Sequence, residues 1–229
     1  MTIPEKNNLP RNAGMHEVDL DKYYRKHIYK HFTKDVKCSV SMTAKVDVTD
    51  LVEYSKVHGT KFHINFMYLL AKVFNSREDY RLQYLWQEEK LIAYDKINLS
   101  HYVFHEDTET FSIAHTEYND AYKAFYGQCE KDIAMAKETK DYGLDEENYP
   151  NYFDASYVSW LSYDALNIEL PDGYLYFLPI VNWGRYEEDF RGRLQLPLTV
   201  RLNHATADGY LLANIYLQLA KEIKRFVEV

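Results

Sequence analysis

Residues Val36–Val48 place Val36, Cys38, Val40, Met42, Ala44, Val46 and Val48 on one face, with mostly polar residues between them. That period of two predicts a long half-buried strand. Thr49 follows as a candidate N-cap for a short helix, Asp50–Val57, stopped near Gly59. Ile64–Phe74 is nearly all apolar, which predicts a helix buried on most of its surface. Tyr80–Trp86 and Lys90–Asp95 read as a hairpin, His101–His105 and Thr110–His115 as two more strands, and Glu117–Ala136 as an amphipathic helix. Lys137–Asn151 reads as a long acidic loop. Strands return at Tyr157–Tyr163, Tyr174–Trp183 and Leu194–Asn203, the last two flanking the charged tip Glu187–Arg193. The chain closes with a helix, Gly209–Val227, carrying Leu211, Leu212, Ile215, Leu219 and Ile223 on one face. Residues 1–15 are polar and read as a loose tail. No Gly/Ser linker or internal repeat splits the rest, so residues 16–229 read as one domain of the α/β class, a mixed β-sheet with helices packed outside.

Composition narrows the function classes. The chain has 229 residues and a net charge of −8, which argues against a nucleic-acid partner. Its 22 tyrosines supply apolar faces with hydroxyls attached, suited to amphipathic pockets and equally to sheet propensity. The N-terminus lacks the apolar stretch of a signal peptide, and no apolar run is long enough to span a membrane. Two cysteines without CxxC spacing suggest neither a disulfide framework nor a zinc site. The expected location is the cytoplasm.

Three segments carry candidate chemistry. In Leu198-Thr-Val-Arg-Leu-Asn-His204-Ala-Thr-Ala-Asp208-Gly209 a strand delivers a histidine at its end, then an aspartate, a glycine that permits a tight turn, and a helix. Histidine titrates near neutrality and suits a general base, although HxxxDG alone is a weak pattern. Ser159, inside an aromatic strand, could donate to a developing oxyanion or simply bond a neighbouring backbone group. His105, Glu106 and Asp107 fit no standard metal spacing and read better as a charged hairpin turn. Arg25, considered alone, reads as exposed. The absence of GxSxG, HExxH and a Gly-rich phosphate loop argues against phosphoryl transfer, dinucleotide binding and serine-hydrolase chemistry.

Taken in order, these segments resemble chloramphenicol acetyltransferase. The resemblance runs through Tyr24-Arg25-Lys26 with Phe32 and Cys38, Val46-Asp-Val-Thr49, Lys61-Phe62, Tyr102–Ser112, Ser159–Asp164, Pro179, Gly184 and His204-Ala-Thr-Ala-Asp208-Gly209. It covers roughly residues 16–225. It implies acetyl-CoA as co-substrate, a hydroxyl acceptor with chloramphenicol first, no metal, and a homotrimer with active sites between subunits. His204 then takes the place of the general base, Ser159 that of the oxyanion donor, and Arg25 pairs buried with Asp208. His31, Phe32, Cys38 and Phe111 fall where the family lines its acceptor pocket. Three departures stand out: Asn203 where the family has a first histidine, His31 where it has an apolar residue, and Asn182 in place of a threonine that holds a water near the oxyanion. A family member acting on another small hydroxyl compound, and a non-catalytic acyl-CoA-binding paralogue, are the alternatives.

Overall fold

The structure is a computed structural model and describes residues 14–140, 142–143, 149–170 and 174–228. Most of the N-terminal tail and part of the acidic loop therefore lie outside the described residues. The strands are β1 (Met15–Glu17), β2 (Ser39–Asp47), β3 (Leu82–Leu85), β4 (Lys90–Tyr94), β5 (Asn98–His105), β6 (Thr110–Thr116), β7 (Tyr152–Val158), β8 (Ile180–Gly184), β9 (Glu187–Glu188) and β10 (Leu194–Asn203). The helices are α1 (Lys26–Lys30), α2 (Thr49–Val57), α3 (Phe62–Asn75), α4 (Tyr122–Thr139) and α5 (Gly209–Val227).

The main sheet runs β2-β10-β8-β7-β5-β6, with β9 added beside β10; a small sheet runs β1-β4-β3. The main sheet is mixed: β7 pairs in parallel with both β5 and β8, and the other pairings are antiparallel. Alternation along β10 sends Leu196, Leu198, Val200 and Leu202 to a core shared with α2, α3 and α5. Helix α3 buries residues on all sides, as its unbroken apolar run requires. Its Lys72 reaches the surface and pairs with Glu222 of α5 at 2.8 Å.

The opposite face of the main sheet carries the polar alternates. One row across it reads Thr43, Thr199, Asn182, Ser156. The chain after β7 crosses this face. It passes Gly184 so closely that a Cβ there would stand 2.9 Å from the Leu161 carbonyl and 2.9 Å from Pro197 Cγ.

Several boundaries differ from the sequence reading. The expected strand from Val36 starts only at Ser39, because residues His31–Asp35 form a π-helical turn closed by Val36 N–H on the His31 carbonyl at 3.0 Å. Thr49 is the first residue of α2 and not its cap; the Asp47 carboxylate accepts from both its N–H and its hydroxyl. Strand β7 lies five residues earlier than Tyr157–Tyr163 and ends at Val158. Of Tyr174–Trp183 only the end is strand, since Leu175 and Phe177 pack instead with Val18, Tyr23, Tyr29 and Ala205. Met15, assigned to the tail, begins a strand paired with β4.

Candidate active site

His204 follows the last residue of β10 in a turn that Asn203 builds. The Asn203 amide oxygen accepts from Ala205 N–H at 2.9 Å, and its backbone carbonyl accepts from Ala207 N–H at 3.0 Å. Asn203 is buried. The departure from the family's first histidine thus puts a turn-forming side chain at the hinge between strand and helix. Gly209, by contrast, is not required for that turn: its φ is ordinary, and a Cβ at this position would meet nothing within 4 Å.

The imidazole is fixed on both sides. Nδ1 lies 3.0 Å from the Ala207 carbonyl. A carbonyl only accepts, so Nδ1 carries the proton and Nε2 keeps its lone pair. The Phe32 ring stacks on the imidazole at 4.0 Å and 8°. The His204 backbone N–H donates to the Cys38 carbonyl at 3.0 Å, which ties the start of β2 to the same corner. Phe32 rests in turn against the cluster containing Tyr29, Leu175 and Phe177, aromatic and apolar support that the strand assignment of Tyr174–Trp183 concealed.

Asp208 caps α5 with one oxygen and binds Arg25 with the other. Its Oδ1 accepts from Tyr210 and Leu211 N–H at 3.0 and 3.1 Å, and its Oδ2 accepts from Arg25 Nη2 at 2.9 Å. Arg25 is 7% exposed, buried and paired as the resemblance implies and not exposed. Burial alone would raise the Asp208 pKa; the Arg25 hydrogen bond and the helix-end amides outweigh it and hold the carboxyl below its usual range. Burial likewise works against the Arg25 charge, and the Asp208 bond overcomes it.

The remaining sequence candidates fall elsewhere. His31 is half exposed, bonded through Nδ1 to Asp35 at 3.1 Å, and packs T-shaped with Phe32 at 4.8 Å between ring centroids. Ser159 is an exposed turn residue beyond β7, not a serine inside a strand. Within β7, Ser156 is half-buried on the polar face between Asp154 and Val158, directly opposite Asn182. Asn182 is 5% exposed on this face. The signal for Ser156 was the alternation Asp154, Ser156, Val158, which a misplaced strand start hid. Phe111 lies at the distal end of the hairpin β5–β6, against Tyr102, and Phe104 of the same hairpin packs edge-on with Trp160.

The candidates therefore form two groups in one chain. Arg25, Phe32, Cys38, His204 and Asp208 sit at the end of β10. Ser156 and Asn182 are level with Thr199, five residues back along the strand, or roughly 16 Å. Phe111 is farther still, at the level of Gly184 and Pro197, and Ser159 is one residue past it. A single chain does not bring the histidine to either serine. Among the described residues no group of three or more His, Cys, Asp or Glu is placed to hold a metal, and no helix is long and apolar enough to cross a membrane.

Against known proteins, the family model "Chloramphenicol acetyltransferase" matches residues 14–220. The chain belongs to the chloramphenicol acetyltransferase family. A chloramphenicol acetyltransferase of Clostridium perfringens is 32% identical over 214 residues, covering 90% of this chain and 97% of the relative. One of Clostridium butyricum is 31% identical over 199 residues, covering 84% and 87%. Among solved structures, a chloramphenicol acetyltransferase superposes with a TM-score of 0.77 at 18% identity, covering 92% of this chain and 98% of that one. A probable dihydrolipoamide acetyltransferase from Listeria monocytogenes follows with a TM-score of 0.62 at 16% identity, covering 88% and 91%. These two share the mixed-sheet fold. By family membership the chain is an acyltransferase, and its helix-covered mixed sheet is the family's fold.

Proposed function

We propose that the chain transfers the acetyl group of acetyl-CoA to a hydroxyl of chloramphenicol, in a ternary complex and without a metal. His204 Nε2 takes the proton of the acceptor hydroxyl as its oxygen attacks the thioester carbonyl. The tetrahedral oxyanion collapses, the carbon–sulfur bond breaks, and the proton passes from His204 to the departing CoA thiolate. The observation that carries this reading is the locked imidazole: a proton held on Nδ1 by a carbonyl, a free Nε2, and a Phe32 ring stacked parallel on its face.

Ser156, rather than Ser159, is our choice for the oxyanion donor, with Asn182 beside it to hold a water. Its place on β7, directly opposite Asn182, supports that choice; Ser159 remains the competitor. The separation of the two groups supports catalysis between copies of the chain, in a homotrimer whose neighbouring subunits supply the missing half. Phe32 and Cys38 line the acceptor pocket on the His204 side, and Phe111 lines it from the neighbour. The catalytic unit is a single domain over residues 16–229, acting in the cytoplasm and conferring resistance to the drug.

His31 favours a second reading of the acceptor, another small hydroxyl compound, because a polar ring flanks Phe32. A polar ring that sheds water to meet an apolar ligand costs affinity when it is left without a partner; the bond to Asp35 keeps His31 partnered, so chloramphenicol stays the first choice. The test is purified protein with acetyl-CoA and a panel of hydroxyl acceptors, followed by release of free thiol. Turnover of chloramphenicol that disappears in His204→Ala supports the proposal. Turnover of another hydroxyl acceptor alone rejects the substrate and keeps the reaction.

A further inference from the structure

Arg25 is held to Asp208 through one guanidinium nitrogen, and its buried Nε has no partner among the described residues. A single bond leaves the planar guanidinium free to pivot. A second contact that fixes its plane also fixes the geometry of the Arg25–Asp208 bond, at the turn that presents His204. The chain supplies that from its own neighbour. The Tyr24 ring centroid lies 5.8 Å from Arg25 Cζ, within cation–π range. Tyr24 is 67% exposed and its ring meets the core edge-on at the buried Tyr23, with centroids 5.5 Å apart. It is fixed at its hydroxyl, which donates to Asp79 Oδ1 at 2.6 Å across 55 residues of sequence.

Asp79 is itself anchored. It is 7% exposed in the turn Glu78–Tyr80, and its Oδ2 accepts from Arg77 Nη2 and Nε at 2.6 and 3.1 Å. The adjacent Tyr80 is buried and donates its hydroxyl to the Leu211 carbonyl in the first turn of α5. The turn that carries Asp79 is therefore bolted to the same helix end that Asp208 caps.

We propose that Tyr24 and Asp79 are positioning residues of the active site: the Tyr24 hydroxyl, held by Asp79, fixes the ring that orients Arg25 on Asp208. The chain of contacts runs Arg77–Asp79–Tyr24–Arg25–Asp208 and ends on the turn whose Ala207 carbonyl sets the tautomer of His204. This rests on His204 acting as the general base. It concerns residues that touch neither substrate, and it adds an anchor outside the Arg25–Asp208 pair.

Tyr24→Phe is the primary variant, because it keeps the ring and removes only the tether. We expect kcat to fall about 5- to 10-fold, with KM for acetyl-CoA and for chloramphenicol unchanged, as for a group that acts through the base and not through ground-state binding. The same substitution in an Arg25→Met background should cost nothing further, since the residue it orients is gone. Asp79→Asn should reproduce the kcat loss if it folds; Tyr24→Phe decides the matter if it does not. Unchanged kcat in Tyr24→Phe, a loss confined to KM, or an equal loss in the Arg25→Met background would overturn the proposal. A readout independent of turnover separates this from the functional reading: Tyr24→Phe should lower the urea midpoint in the natural chain and not in Asp208→Asn. If chloramphenicol is not acetylated but that non-additivity appears, the anchor stands and the function fails; equal midpoint shifts in both backgrounds reject the anchor.

Discussion

Removing the Asp208 carboxylate should cost more stability than removing its cationic partner, and the reason is geometric. In Asp208→Ala, Tyr210 and Leu211 lose the acceptor for their N–H groups, and loss of such a cap costs about 1 kcal/mol. Arg25, 7% exposed, is left without its counter-charge. Breaking a buried pair from one side costs about 3–5 kcal/mol, and the low end applies because Asp208 is 33% exposed and water can reach the vacated space. The sum is about 4 kcal/mol. In Arg25→Met the buried cation leaves together with its desolvation cost, while Asp208 keeps its cap and its water, so the loss should be about 1–2 kcal/mol. Asp208→Asn keeps a good capping side chain and loses only the charge, placing it between the two. Urea unfolding at fixed protein concentration measures all three, and the double variant closes the cycle. Equal losses in Asp208→Ala and Arg25→Met, or a cycle without coupling, would refute the reasoning. The pair also has a pH signature. The Asp208 carboxyl titrates lower in the folded chain than in the unfolded one, so its contribution is present above about pH 4 and is lost as the pH falls through the folded value.

His204→Ala should lower turnover by about 10²–10⁴-fold in the thiol-release assay with the assembly intact, as loss of a general base does. Ser156→Ala should lower kcat by about 10²-fold with little change in KM, and Ser159→Ala should leave kcat within a few-fold; the reverse order returns the oxyanion role to Ser159. Burial pushes the His101 pKa down to about 3 and that of His63 to about 4. The unfolded chain takes up those protons near pH 6.5 and the folded chain does not, so unfolding free energy should fall as pH drops from about 6.5 toward 4, with a shallower slope in His101→Gln. His31→Phe should change KM for chloramphenicol less than twofold, because His31 is bonded to Asp35 and packs T-shaped with Phe32.

The parts of the fold that were legible in the sequence are those where one periodicity holds from end to end. The strand before His204 and the amphipathic helix after Asp208 lie where the pattern put them, and so does the buried helix α3. The errors fall where apolar residues serve something other than a ladder. Leu175 and Phe177 look like strand residues but fill a second cluster behind Phe32. Val36 extends the alternation past a π-helical turn that hydrogen bonds, not hydrophobicity, create. In the aromatic stretch Tyr152–Tyr163 both faces carry rings, so the strand's start was ambiguous by several residues, and Ser159 was read inside a strand that ends at Val158. The Arg25–Asp208 pair spans 183 residues and has no local signal; it was legible only through resemblance.

The distance between the histidine corner and the serine row has a genetic consequence. If neighbouring copies complete each other's sites, a chain that has lost His204 still lends Ser156 to its neighbour, and a chain that has lost Ser156 still lends His204. Two alleles, each inactive alone, would then restore activity when expressed together, because a mixed ring contains junctions at which both intact residues meet. The same junctions leave other positions where both are missing, so the recovered activity would follow the statistics of mixing and not the dose of either allele.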